Sequence, residues 1–103
     1  MRKITLYIGL FDKESKMQEV KTLDAYKIVA NLLNLDCTIT EGRGVYTHED
    51  GTIVFEPSLV VEILDFDNSI TRESLVAKVA TIKRALNQES VAVQESEVKS
   101  ELV

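Results

Sequence analysis

Glu41, Glu56 and Glu62, with Arg43 among them, are the residues of this chain whose types and spacing best suit chemistry. Alternation along two neighbouring strands puts all four on one sheet face. Two carboxylates so placed can serve as general acid and base. A cross-strand ion pair, Arg43 with Glu56 on the diagonal, accounts for the same residues with less. His48 is the single histidine, beside Glu49 and Asp50. A metal or general-base role needs converging ligands that the chain does not supply, so His48 reads as an exposed side chain flanking a turn. Cys37 is the single cysteine. It excludes a disulfide framework and a Cys-based zinc site, and reads as a buried structural thiol. No catalytic residue, metal site or cofactor is expected.

The element that must position these groups is a β-hairpin. Asp50-Gly51 separates two runs rich in β-branched and aromatic residues, and suits a two-residue type I′ turn. That turn sets Glu49 opposite Thr52, Val45 opposite Glu56 and Arg43 opposite Ser58. One face then carries Gly42, Gly44, Tyr46, Ile53, Phe55, Leu59 and Val61. The other mixes charge with apolar residues, from Ile39, Glu41, Arg43 and Val45 to Val54, Glu56, Ser58, Val60 and Glu62. Pro57 favours an edge or a bulge, and a bulge there would exchange the faces beyond it. Gly42-x-Gly44 lies within a strand, so it is not a dinucleotide fingerprint and reads as room for a helix or ring to approach. Gln88, Glu89 and Ser90 follow a helix end, where carbonyls are free, and suit a capping or strand-start role over anion binding.

The chain has 103 residues, 45% hydrophobic and 28% charged, with a net charge of -5. That is one soluble domain. No Lys/Arg cluster exists to engage a nucleic-acid backbone. There is neither a signal peptide nor an apolar span of ~18 residues, so a cytoplasmic protein without membrane partners is expected.

In chain order, Ile4, Leu6, Ile8 and Leu10 alternate with Thr5, Tyr7, Gly9 and Phe11, which predicts a strand. Thr22 can cap a helix whose stripe is Ala25, Ile28, Val29, Leu32 and Leu33. The hairpin follows. Thr71 caps a second helix carrying Leu75, Val79, Ile82 and Leu86, which Asn87 ends in the left-handed conformation. Val91 and Val93 mark a last strand. The order predicts an α+β, ferredoxin-like βαββαβ plait: an antiparallel four-stranded sheet with two helices on one face. The domain spans 1–98, and 99–103 form a frayed tail.

Three motifs in this order resemble a family of small bacterial proteins known only as a domain of unknown function. They are Leu6-Tyr7-Ile8-Gly9-Leu10; a hairpin with Gly42, an aromatic near Val45 or Tyr46, Asp50-Gly51 and Glu56-x-Ser58; and Asn87-Gln88-Glu89-Ser90-Val91 after the second helix. The resemblance covers roughly residues 6 to 94. It departs from the family in lacking a hairpin tryptophan and the leader that many members carry. It implies the plait and no particular activity.

The function expected on these grounds is a non-enzymatic interaction protein that self-associates through its open sheet face. Tyr7, Arg43, Val45, Glu56, Ser58 and Val60 would form the ligand- or partner-binding surface. A homodimer hides the apolar patch on both copies. An unidentified protein or small molecule is the other partner considered, in a regulatory module or a phage or mobile-element inhibitor of a host protein. An enzyme using Glu56 or His48 as base is the reading set aside.

Overall fold

The protein is described here from a computed structural model, over residues 1–47 and 50–103. Its elements are β1 (Arg2–Gly9), α1 (Thr22–Leu33), β2 (Thr38–Thr47), β3 (Ile53–Asp65), α2 (Arg72–Ala85) and β4 (Ala92–Glu97). All strand pairs are antiparallel, in the order β2-β3-β1-β4. This is the ferredoxin-like plait. No helix among the described residues is long and apolar enough to cross a membrane.

The period-two pattern of β1 buries Ile4, Leu6 and Ile8 completely, against Leu59, Val61 and Ile63 of β3. Ala25, Val29 and Leu33 of α1, with Leu75 and Ile82 of α2 and Leu86 just after it, close this core from one side. The α1 stripe is the one that its 3.6-residue spacing predicts. Its start differs: Lys21 is the N-cap and makes no side-chain cap bond. Thr22 is already helical, and its Oγ1 accepts from Gln18 Nε2 at 2.9 Å. Thr71 caps α2 as expected, its Oγ1 accepting from the Ser74 N–H at 3.1 Å. Asn87 takes φ 49°, the left-handed turn that leads the chain out of α2.

The hairpin register is shifted by one residue from the expectation. Val45 lies opposite Phe55, Arg43 opposite Pro57 and Gly42 opposite Ser58, and β2 closes on β3 at Thr47 and Ile53. The connection is therefore longer than a two-residue turn. Asp50 Oδ1 accepts from the Thr52 N–H at 2.9 Å beside Gly51, whose φ is +87°. Glu49 and His48, including the expected pairing of Glu49 with Thr52 and the exposure of His48, lie outside the described residues. Burial decides the register. It sets Ile39 opposite the fully buried Val61, whereas the expected register sets Ile39 opposite Glu62, on the solvent side. Pro57 makes no bulge; the ladder runs through it, and its carbonyl accepts from the Leu10 N–H at 3.0 Å.

Residues opposite one another share a face, so the mixed set divides. Tyr7, Val54, Glu56, Ser58, Val60 and Glu62 stay on the open face, joined by Gly42, Gly44 and Tyr46. Arg43 and Val45 belong with Ile39, Glu41, Phe55 and Leu59 on the helix side, and are corrected accordingly. The outer hairpin extends past the helices: Val45 is 62% and Phe55 68% exposed.

At the far end of the sheet, Asp65 is buried and tied three ways. It accepts from Arg2 Nη2 at 3.0 Å, from the Ser69 N–H at 3.1 Å and from the Ile70 N–H at 3.1 Å. Arg2 also donates to the Ile70 carbonyl. These bonds fix the turn from β3 into α2 against the first strand.

Candidate active site

Where β1, β3 and β4 present their upper ends, three segments enclose a cleft of about 670 Å³. The hairpin brings Tyr46 and Glu56, the loop after β1 brings Phe11, Lys13 and Lys16, and the segment between α2 and β4 brings Glu89 and Ser90. Tyr7 rises from β1 between them. The charged lining of the cleft is mixed, Asp12, Glu56 and Glu89 with Lys13 and Lys16, and aromatic rings line it too.

Glu56 is held by two hydrogen bonds. Its Oε2 accepts from the Phe11 N–H at 3.2 Å. The Tyr46 hydroxyl also hydrogen-bonds to it. Below it lies Gly9, where a Cβ would overlap the carboxylate, with Cδ 2.7 Å away. Glycine there leaves the space that the carboxylate occupies. Gly44 meets Glu56 Cγ at an ordinary 3.6 Å, while Gly42 lies close to Ser58 Oγ (3.1 Å) and Val60 Cγ2 (3.3 Å). The hairpin glycines thus make room for open-face side chains, and no helix approaches them.

The Tyr46 phenol is pushed above its ordinary 10.0, first by burial, then by the charge of Glu56, their hydrogen bond and the charge of Glu89. Tyr46 is therefore a protonated donor at neutral pH, and Glu56 the acceptor.

Polar contacts hold the loop after β1 in place. Gln88, only 7% exposed, donates from Nε2 to the Phe11 carbonyl at 2.7 Å and to the Leu86 carbonyl at 3.2 Å. Asn87 Nδ2 donates to Asp12 Oδ2 at 2.8 Å, and the Lys13 N–H donates to the Asn87 carbonyl at 2.9 Å. Asp12 Oδ1 accepts the Glu14 and Ser15 N–H groups at 2.8 and 3.0 Å. The bond from Asn87, then those from Ser15 and Glu14, hold the Asp12 carboxyl below its ordinary 3.8. The helix-end residues thus work through their side chains and backbone, with no free helix N-terminus involved.

Of the residues expected to form the binding surface, Tyr7 and Glu56 line this cleft. Ser58 and Val60 lie farther down the same face, beside Gly42. Arg43 and Val45 are on the opposite face, so the diagonal pair of Arg43 with Glu56 does not form. Tyr46, Phe11, Lys13, Lys16 and Glu89 were missed as cleft residues. Tyr46 was placed by the wrong register; Phe11 was set by alternation on the side of Tyr7 but without a role; Lys13, Lys16 and Glu89 come from loops that no periodicity positions. Among the described residues no group of three or more His, Cys, Asp or Glu is arranged to hold a metal ion. Cys37 is half-buried, and burial followed by the charge of Asp36 raises its thiol above the ordinary 9.0.

No protein-family model and no curated protein sequence matches the chain. Solved structures do. A phage SAM lyase in complex with S-methyl-5′-thioadenosine is similar with a TM-score of 0.63 and 23% identity, over 93% of this chain and 80% of that one. A phage SAM lyase in the apo state gives a TM-score of 0.66 at 23% identity, over 92% of this chain and 78% of that one. These likenesses correct the expectation of a non-enzymatic interaction protein acting through an open face: the plait matched over most of both chains is that of an enzyme. The fold of this chain is similar to that of the phage SAM lyases.

Proposed function

We propose that the protein is itself a lyase of S-adenosylmethionine, releasing S-methyl-5′-thioadenosine. The observation that carries the reading is the fixed carboxylate of Glu56 on the floor of a cleft of about 670 Å³ walled by aromatic rings. The substrate is a sulfonium cation with a purine at one end and an amino-acid group at the other. Tyr7, Phe11 and Tyr46 offer ring faces to a purine and to a cation. Glu56 and Glu89 put negative charge into the lining, which suits a sulfonium or ammonium group. Lys13 and Lys16, beside Asp12 in the lining, suit the substrate carboxylate.

In the cleavage, the bond between sulfur and the aminobutyrate chain breaks and its electron pair goes to sulfur. The positive charge at sulfur disappears, leaving a neutral thioether. The carbon fragment completes its valence by losing a neighbouring proton or by bonding its own carboxylate. Glu56 and Tyr46 hold and orient the cation; the apolar rings exclude water, which favours a step that removes charge.

Incubation with S-adenosylmethionine, with the heat-denatured protein as control for spontaneous decay, tests this by mass spectrometry. Enzyme-dependent S-methyl-5′-thioadenosine is expected, reduced about a hundredfold in Glu56→Gln, the scale for losing one preorganised electrostatic contact. No product above the control, and no thermal shift with added S-methyl-5′-thioadenosine, would refute it.

A further inference from the structure

The two lysines that line the cleft are not equivalent. Lys16 takes the left-handed conformation, with φ 62°, and its Nζ donates to the Lys13 carbonyl at 2.6 Å. Its N–H donates to the Asp12 carbonyl at 2.9 Å, so Lys16 serves the turn of its own loop. Lys13 is held through its backbone on both sides. Its carbonyl accepts that bond from Lys16, and its N–H donates to the Asn87 carbonyl at 2.9 Å. Among the described residues its ammonium makes neither a hydrogen bond nor an ion pair.

The carboxylates close to Lys13 in the chain already have partners. Asp12 accepts from Asn87 Nδ2 through one oxygen, and from the Glu14 and Ser15 N–H groups through the other. Glu14 Oε1 accepts from the same Asn87 nitrogen at 3.4 Å. Across the cleft, Glu56 accepts from the Phe11 N–H and from Tyr46. Glu89 is the exposed carboxylate of the lining.

We infer that Lys13 recognises the carboxylate at the amino-acid end of the substrate, and that Asn87 is the positioning residue that sets Lys13 there. The inference rests on reading the cleft as a site for S-adenosylmethionine. A backbone fixed in advance limits the ordering cost of the contact to that of the side chain. Asn87 supplies the fixing: its carbonyl holds the Lys13 N–H, and its amide holds Asp12 and Glu14 on either side of Lys13. Such a contact separates ligands by their tails. S-adenosylhomocysteine carries the carboxylate and, as a neutral thioether, lacks the charge that makes the sulfonium bond labile. S-methyl-5′-thioadenosine has the same nucleoside and no carboxylate. The ratio of the two affinities reads the carboxylate contact without turnover.

Isothermal titration calorimetry of both ligands, on the full chain and its variants, tests the assignment. Lys13→Met removes the charge and keeps most of the stem. It is expected to weaken S-adenosylhomocysteine about tenfold or more while S-methyl-5′-thioadenosine stays within about threefold. Lys13→Arg keeps a cation and is expected to rescue both to within about threefold of wild type. Lys16→Met removes a bond to the Lys13 carbonyl, and its effect on S-adenosylhomocysteine is expected to be smaller than that of Lys13→Met by about threefold or more. Asn87→Gly keeps the left-handed backbone and the carbonyl but loses the amide. It is expected to shift the ratio of affinities about threefold or more in the direction of Lys13→Met. Lys13 and Lys16 are exposed and Asn87 is half-buried, and circular dichroism verifies that each variant is folded. The inference falls, with the lyase reading intact, if Lys13→Met weakens both ligands alike or neither, or if Lys13→Arg is as weak as Lys13→Met. It falls likewise if Lys16→Met matches Lys13→Met, or if Asn87→Gly leaves the ratio unchanged. A wild type that binds neither ligand overturns both.

Discussion

The carboxylate of Glu56 occupies the volume that a Cβ on Gly9 would fill, across the pair of strands that forms the centre of the sheet. The relationship fixes both residues. Gly9 has no left-handed backbone to explain it, so its requirement is spatial. Gly9→Ala is expected to push Glu56 out of place and to cost about 1–3 kcal/mol, as overpacking does. In a Glu56→Ala background the same change should be nearly neutral. Chemical denaturation of the four proteins in this cycle measures the coupling.

Tyr46→Phe removes the hydroxyl that donates to Glu56 and leaves the ring. Little stability should be lost, about 1 kcal/mol or less, while turnover of S-adenosylmethionine falls. Ultraviolet titration offers a second readout. Burial and the neighbouring carboxylates raise this phenol above 10.0, so its protonated form persists to higher pH than a free tyrosine. The tyrosine absorbance change lost in Tyr46→Phe should have its midpoint above pH 10.0.

Gln88→Ala removes the donor to two carbonyls, those of Phe11 and Leu86. Leaving a buried acceptor unpaired costs about 1–3 kcal/mol. Because Phe11 also donates to Glu56, the variant should lose activity beyond its loss of stability. Turnover measured well below its melting transition separates the two effects.

Asp65→Ala breaks an ion pair and two backbone hydrogen bonds at once. The expected loss is about 2–4 kcal/mol, read as a lower denaturant midpoint. This network is far along the sheet from the cleft, so the folded variant should keep wild-type turnover.

Cys37 supplies a pH test. Its raised folded value means that the neutral thiol is favoured in the fold. The stability it contributes is fully present below the ordinary thiol value of 9.0 and is lost as pH rises through the folded value. At pH 8 a disulfide reagent should modify native Cys37 more slowly than the unfolded chain. Equal rates would show that burial and Asp36 do not suppress the thiolate.

The architecture was legible because period is local. Ile4, Leu6 and Ile8 alternate, Ala25, Val29 and Leu33 recur at helical spacing, and Thr71 and Asn87 punctuate α2. Each signal lies within one element. The register of the hairpin was not legible: Asp50-Gly51 fits a two-residue turn by itself, and burial of Ile39 against Val61 overrides it. That single shift moved Arg43 and Val45 away from Glu56 and brought Tyr46 to it.

The sequence by itself determined that four strands and two helices form a plait with one face open, because alternation and amphipathic stripes specify which sides need burial. Tertiary structure alone decided which residues that face brings together. The cleft joins residues from β1, the hairpin, the loop at Lys13 and the segment at Glu89. Their convergence depends on strand order, on a one-residue register and on loops tied by Gln88 and Asn87. These are long-range relations, settled by burial and hydrogen bonding between segments far apart in the chain.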